Sequence, residues 1–332
     1  MSMSDPSNGG NGHANVPTEV LELHFPQLVE APRPASRKRP LWPALLLFCL
    51  TILSTLDVGW EFARSYAEDR QPFSGDDSYA SILVPLEHPR LLLMGIPFSF
   101  TLMGILLAHE LGHYFACKVY RIDASYPYFL PAPTFIGTFG AFIRIRSPIT
   151  TRRALFDVGL AGPVVGFLVA LPAMGFAVAT AKIVPDAPIG GYPLIGNPPL
   201  VWLLAAMFHP GIHPAWMLLH PIGRAAAVAL FATALNLLPA WQLDGGHILY
   251  SLAGGTHRRV SLIVSLALIG LGLYTSYIWA FWGFLLLLLT LRFRHPPVID
   301  VWQPLDSARR IWAVVAVAIF FLCFTPWQIA NQ

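Results

Sequence analysis

Long apolar runs, separated by short polar or Pro- and Gly-rich joints, set the pattern of this chain. They lie at about 41–62, 91–119, 154–181, 222–250, 259–277, 278–294 and 311–327. Crossing a hydrocarbon core takes roughly 20 helical residues at about 1.5 Å each, and the runs approach or exceed that length. The pattern predicts an all-α polytopic membrane protein with six to seven transmembrane helices. Residues 126–147 break it. Pro127, Pro131 and Pro133 disfavour a helix there, Gly137 and Gly140 suit a tight reversal, and the residues after them favour extended backbone. The expectation is a short membrane-associated β-hairpin or extended segment. Extended backbone at membrane depth needs protein or a water-filled cavity to satisfy it, so this segment is placed at the active cleft. Residues 183–221 are Pro- and Gly-rich and form a connector, with an apolar stretch at 199–208 that suits a re-entrant helix.

Composition strengthens the membrane reading. The chain is 55% hydrophobic and 12% charged, against about 25% charged in an ordinary soluble domain. The net charge of +3 comes from scattered basic residues without an aromatic-interleaved stripe, which argues against a nucleic-acid partner. The three cysteines, Cys49, Cys117 and Cys323, are far apart in apolar surroundings and read as buried small hydrophobes. Residues 1–40 are rich in Pro, Gly, Ser and Asn and end in Arg37, Lys38 and Arg39, as expected of a disordered tail. With that tail inside, most Lys and Arg fall in inside segments, which predicts a cytoplasmic N-terminus and a site near the cytoplasmic face.

The chemistry is concentrated in two of the apolar runs. His109 and His113 are four residues apart, so a helix projects both imidazoles from one face where they can grip one zinc ion. Glu110 lies beside them and can take a proton from water. Such ionisable groups each cost on the order of 2.5 kcal/mol or more at the bilayer centre unless paired or facing water, so a bland reading has a cost with no return. A catalytic zinc site needs a third protein ligand. Asp244, the sole carboxylate of the run at 222–250, is the best candidate, and Pro239 with Gly245-Gly246 should break the helix and let it turn. His247 is a rival by spacing. His209, His213 and His220 fall on the opposite side of the membrane in the predicted topology.

AHELGH at 108–113 and NLLPAWQLDGG at 236–246 resemble the paired motifs of the site-2 protease family of intramembrane zinc metalloproteases. GTFGAFIRIRSP and the PYFLPAP before it are similar to the branch found in plastids, bacteria and archaea. The resemblance covers about residues 85–260. It implies a three-span catalytic core, one zinc ion per chain held by His109, His113 and Asp244, Glu110 as catalytic base and Asn236 as a polar partner for substrate or transition state. The implied substrate is a transmembrane segment of another protein, such as a membrane-tethered regulator, cut within the lipid bilayer. Gly137, Thr138, Phe139 and Gly140 are the candidate substrate contacts, by edge pairing with an unwound strand. The connector is too short for the PDZ domain that some members carry.

The expected organisation is a tail at 1–40, a first transmembrane helix and external loop at 41–90, the catalytic core at 91–258 and C-terminal transmembrane helices at 259–332, in a bacterial inner membrane. Two other classes compete. A metal transporter or sensor would need polar groups in the late spans, where 260–291 offers only Ser, Thr and Tyr. A catalytically silent scaffold would have lost Glu110 or a ligand.

Overall fold

A computed structural model describes residues 41–70, 72, 88–185, 197–275, 277–300 and 304–325. The predicted tail at 1–40 and much of the loop before residue 88 lie outside the described residues. Helices dominate the rest. They are α1 (Trp42–Ala67), α2 (Ile96–Val119), α3 (Arg152–Ala179), α4 (Pro199–Phe208), α5 (Pro221–Asn236), α6 (Asp244–Ala253), α7 (His257–Tyr274), α8 (Tyr277–Arg292) and α9 (Ser307–Cys323). Among the described residues, four helical stretches are long and apolar enough to cross a membrane: Trp42–Ala67, Pro89–Val119, Arg152–Ala179 and His257–Tyr274. Three more apolar helices, Pro199–Phe208, Pro221–Asn236 and Tyr277–Arg292, are shorter. The structure therefore shows a largely helical membrane protein and does not establish a count of six or seven spans.

The expected break in the run at 222–250 is present: α5 stops at Asn236, a turn follows, and Asp244 begins α6. Pro239 is the physical reason, since it lacks the N–H that a continuing helix would use. Cys49 is exposed on α1, not buried, whereas Cys117 and Cys323 are buried. An exposed thiol on an apolar span faces lipid at little cost.

Helices α2, α3 and α5 pack around a core that includes Phe98, Phe156, Met174 and Leu230, each almost fully buried. Their outer faces carry large exposed apolar side chains such as Phe100, Phe115, Leu168 and Phe176, as a lipid-facing surface requires. Helix α1 joins this group by close backbone approach. A Cβ on Gly59 would come within 2.6 Å of the Gly95 carbonyl oxygen, and beside this contact Thr55 Oγ1 and Ser99 Oγ share a hydrogen bond of 2.7 Å. Small residues with an interhelical hydroxyl bond are how membrane helices associate where the hydrophobic effect no longer discriminates.

The predicted hairpin forms. β1 (Tyr128–Pro131) pairs antiparallel with β2 (Thr138–Phe142), with Tyr128 opposite Phe142. Gly137 has a φ of +79°, a left-handed backbone that suits glycine at the reversal. β1 packs on α1, and Ser54 Oγ donates to the Gly137 carbonyl at 2.6 Å, so the hairpin is anchored to the first span. A second short pair, β3 (Lys182–Ile183) with β4 (Met217–Leu218), spans the connector.

Candidate metal centre

His109, Glu110 and His113 are all buried on α2. Their helix meets α3 through glycines. A Cβ on Gly112 would lie 2.6 Å from the Ala161 carbonyl oxygen, one on Gly162 2.1 Å from His113 Nε2, and one on Gly166 3.0 Å from His109 Nδ1. Gly159, Gly162 and Gly166 recur at spacings of three and four, so they form one helical face. That face is what gives the two imidazoles their space.

Asp244 arrives from the other side of the site. The turn before it is compact: Ala240 donates its N–H to Leu238 at 2.7 Å and Leu243 to Ala240 at 3.2 Å. Trp241 sits at a φ of 48°, an uncommon conformation for a bulky residue. Its N–H donates to Ser261 Oγ at 3.1 Å and its carbonyl accepts from His257 Nε2 at 2.9 Å, so α7 holds the backbone on both sides of Trp241. Gly245 and Gly246 let α6 start tight against the turn, since a Cβ on Gly245 would lie 2.1 Å from the Leu237 carbonyl oxygen. As the first residue of α6, Asp244 also places its carboxylate at the positive end of a helix dipole.

The three side chains converge. His109 Nε2 and His113 Nε2 are 3.1 Å apart, and Asp244 Oδ2 is 3.3 Å from each. Asp244 Oδ2 is buried without a hydrogen-bond partner among the described residues. His113 Nδ1 lies 2.6 Å from the Val158 carbonyl oxygen. A carbonyl can only accept, so Nδ1 carries the proton and Nε2 presents a bare lone pair. A buried acceptor with nothing donating to it is costly unless something cationic sits among the three. Zinc fits: a tetrahedron with bonds of about 2.0–2.1 Å has edges of about 3.3 Å, close to all three separations. Among the described residues this is the group of His, Cys, Asp and Glu side chains compact enough to hold a metal ion.

Glu110 points to a cavity of about 180 Å³ beside this triad. His109, Asn236, Phe139, Gly140 and Ala141 line it too, within walls that are mostly apolar, and Trp282 and Leu286 of α8 lie on its border. Asn236, the last residue of α5, brings Nδ2 to 3.4 Å from His109 Nε2. Of the four candidate substrate contacts, Phe139 and Gly140 reach the cavity, and Phe139 is 71% exposed. Gly137 packs on α1 instead, and Thr138 is buried with Oγ1 donating to the Leu130 carbonyl at 2.8 Å. Those two build the hairpin and do not face the cavity.

His247 is not part of the triad. Its Nδ1 is engaged 2.9 Å from His295 Nε2. His213 and His220 each accept a backbone N–H two residues on, and His209 Nε2 bonds to the Val178 carbonyl, so the connector histidines serve local structure. The glycine face of α3 escaped the sequence reading, although its three-and-four spacing is visible in GLAGPVVGF at 159–167. His295 also escaped it, because nothing in its local sequence links it to residue 247.

A paired-histidine helix meets a carboxylate from a second element among apolar helices, and the three side chains could hold a metal ion. A profile of the family described as peptidase family M50 matches residues 97–275, more than half the chain, with His109, Glu110, His113, Asn236 and Asp244 all inside the match. The chain belongs to that family. It is similar to the "probable zinc metalloprotease EGY1, chloroplastic" of rice (Oryza sativa subsp. japonica), 28% identical over 301 residues covering 85% of this chain and 50% of the relative. It is likewise similar to the EGY1 protein of Arabidopsis thaliana, 28% identical over 296 residues (85% and 52%), and to its EGY2, 29% identical over 256 residues (76% and 45%). The chain thus spans about half the length of these relatives. All three carry a chloroplastic label, which gives no support to the expected bacterial inner membrane.

Proposed function

We propose that this chain is an intramembrane zinc endopeptidase that cuts transmembrane segments of other membrane proteins, including membrane-tethered regulators. The observation that carries the reading is the convergence of His109 Nε2, His113 Nε2 and the buried, unpartnered Asp244 Oδ2 beside Glu110, which lines a mostly apolar cavity. One zinc ion per chain, held by His109, His113 and Asp244, would supply Lewis acidity and acidify water at neutral pH. Glu110 takes the proton of the attacking water on its carboxylate and returns it to the departing amide nitrogen. Asn236 offers its Nδ2–H to the oxygen that becomes negative as the carbonyl is attacked.

A substrate helix must unwind before its carbonyls become available, because they are tied up in i to i−4 bonds. The β2 edge at Phe139–Ala141 borders the cavity and offers an extended backbone to pair with the unwound strand. In this reading the bilayer is the working environment, the tail and the site face the cytoplasm, and the helices after residue 258 flank the core. Glu110→Gln is the test. The variant should keep its bound metal and lose cleavage of a model transmembrane substrate, whereas turnover at the parental rate would remove Glu110 from the mechanism.

A further inference from the structure

A separate cavity of about 350 Å³ shares no lining residue with the one at Glu110. It opens between the Trp241 turn, the start of α7 and the end of α8. That volume falls within the range of roughly 300–1,000 Å³ usual for small-molecule sites. Its lining selects by charge. Arg258 and Arg294 both border it, no acidic side chain does, and neither guanidinium has an ion-pair partner among the described residues. Arg259 and Arg292 add positive charge at the same end of the two helices.

Two further polar atoms of the lining stand without partners. Trp241 Nε1 and Thr290 Oγ1 are both buried and unbonded among the described residues, and Thr290 as a whole is only 3% exposed. An indole N–H can only donate, a threonine hydroxyl can donate, and a guanidinium has five donors and no acceptor. The histidines of the cavity do not change the balance. His257 uses Nε2–H on the Trp241 carbonyl, and His295 has Nδ1 on the Pro296 carbonyl and Nε2 against His247. A metal cation would meet two fixed positive charges here and no carboxylate. Arg258 and Arg294 are exposed and reach water, but a neutral apolar ligand would leave the two buried donors, Trp241 Nε1 and Thr290 Oγ1, unsatisfied.

We propose that this cavity binds a phosphate group, free or as the headgroup of an anionic lipid, through Arg258, Arg294, Trp241 Nε1 and Thr290 Oγ1. An anion rich in acceptor oxygens matches a cationic, donor-rich lining, and guanidinium forks suit its paired oxygens. Its position at helix ends between apolar spans is where basic pockets meet lipid headgroups. The site is also coupled to the metal centre by covalent geometry. Trp241 precedes Asp244 by three residues, and His257, which lines the cavity, fixes the Trp241 carbonyl. A ligand holding the indole therefore stiffens the turn that delivers the Asp244 carboxylate. The proposal goes beyond the proteolytic reading and does not depend on it.

The test uses the whole protein in phosphatidylcholine nanodiscs. One arm titrates inorganic phosphate and pyrophosphate by calorimetry, and the other measures retention of phosphatidic acid against phosphatidylcholine by native mass spectrometry. Saturable binding in the first arm identifies free phosphate; selective retention in the second alone identifies the headgroup. Either should weaken at least about tenfold in the R258Q/R294Q double variant, with metal content unchanged, since each charged hydrogen bond removed is a large share of such an affinity. Thr290→Val, a near-isosteric change that does not depend on the double variant folding, should weaken the same binding by a smaller factor. Absence of saturable binding in both arms, or binding that both variants leave within about twofold of the parent, overturns the proposal.

Discussion

Gly162→Ala tests whether the glycine face of α3 is what admits the metal ligands. The added Cβ would lie 2.1 Å from His113 Nε2 and 2.5 Å from its Cδ2 and Cε1, whereas ordinary contact begins at 3.4 Å. The shortfall at Nε2 is about 1.3 Å. The ring cannot absorb this by a small tilt, because His113 Nδ1 is tied to the Val158 carbonyl at 2.6 Å on the same helix as Gly162. Metal–ligand distances tolerate only about 0.2 Å. The ring must therefore leave its position, and zinc affinity should fall by at least about 10–100-fold, the effect seen when a supporting contact of a ligand is disturbed. Gly175→Ala on the same helix is the control, because nothing lies within 4 Å of its Cβ. That change should leave zinc affinity alone and stabilise the helix by up to about 1 kcal/mol. Competitive chelator titration of both purified variants gives the affinities directly. Wild-type zinc affinity in Gly162→Ala would refute the reasoning.

Two further outcomes follow from other parts of the molecule. Arg309 at the start of α9 grips Asp157 of α3 through Nε at 2.9 Å and Nη2 at 2.6 Å, and these bonds hold its guanidinium pKa above the usual range. Arg309→Met should lower stability by about 1–3 kcal/mol, the usual worth of charged hydrogen bonds, visible as a lower detergent unfolding midpoint, and an unchanged midpoint would count against the clamp. His295 lies on the loop after α8, packed against Tyr250, His247 and His257. Burial lowers its pKa from 6.5 to about 4. The unfolded chain therefore takes up that proton first as the pH falls, so the contribution to stability is complete above about 6.5 and is lost progressively down to about 4. His295→Asn should flatten the pH dependence of stability in that window, and a slope equal to the parent's would show that His295 is not its source.

The convergence of His109, His113 and Asp244 was foreshadowed because such residue types are costly in an apolar run. His109, Glu110 and His113 carry their geometry in a spacing of four, and Asp244 stood out as the sole carboxylate of its run. Pro239 and Gly245-Gly246 signalled that the run from 222 to 250 breaks before Asp244. What the pattern did not give was that Asp244 itself begins the second helix, which depends on the close packing of Gly245 and Gly246 on the turn. The hairpin was legible from Pro and Gly punctuation. Its division of labour was not, because which of Gly137, Thr138, Phe139 and Gly140 faces the cavity depends on the anchor to Ser54 of α1. The bond between His247 and His295 joins residues 48 apart, and no local period encodes it. Glycines 159, 162 and 166 went unread, because a three-and-four spacing of small residues does not say what packs on it until the helix pairing places His109 and His113 there.

X-ray absorption at the zinc edge, on the full chain in lipid, tests the central claim most directly. The account predicts one zinc ion per chain with two imidazole nitrogens and oxygen neighbours at about 2.0–2.2 Å. In Asp244→Ala the zinc should be lost or its remaining shell rearranged. A sulfur neighbour, or a zinc shell that Asp244→Ala leaves unchanged, would contradict it.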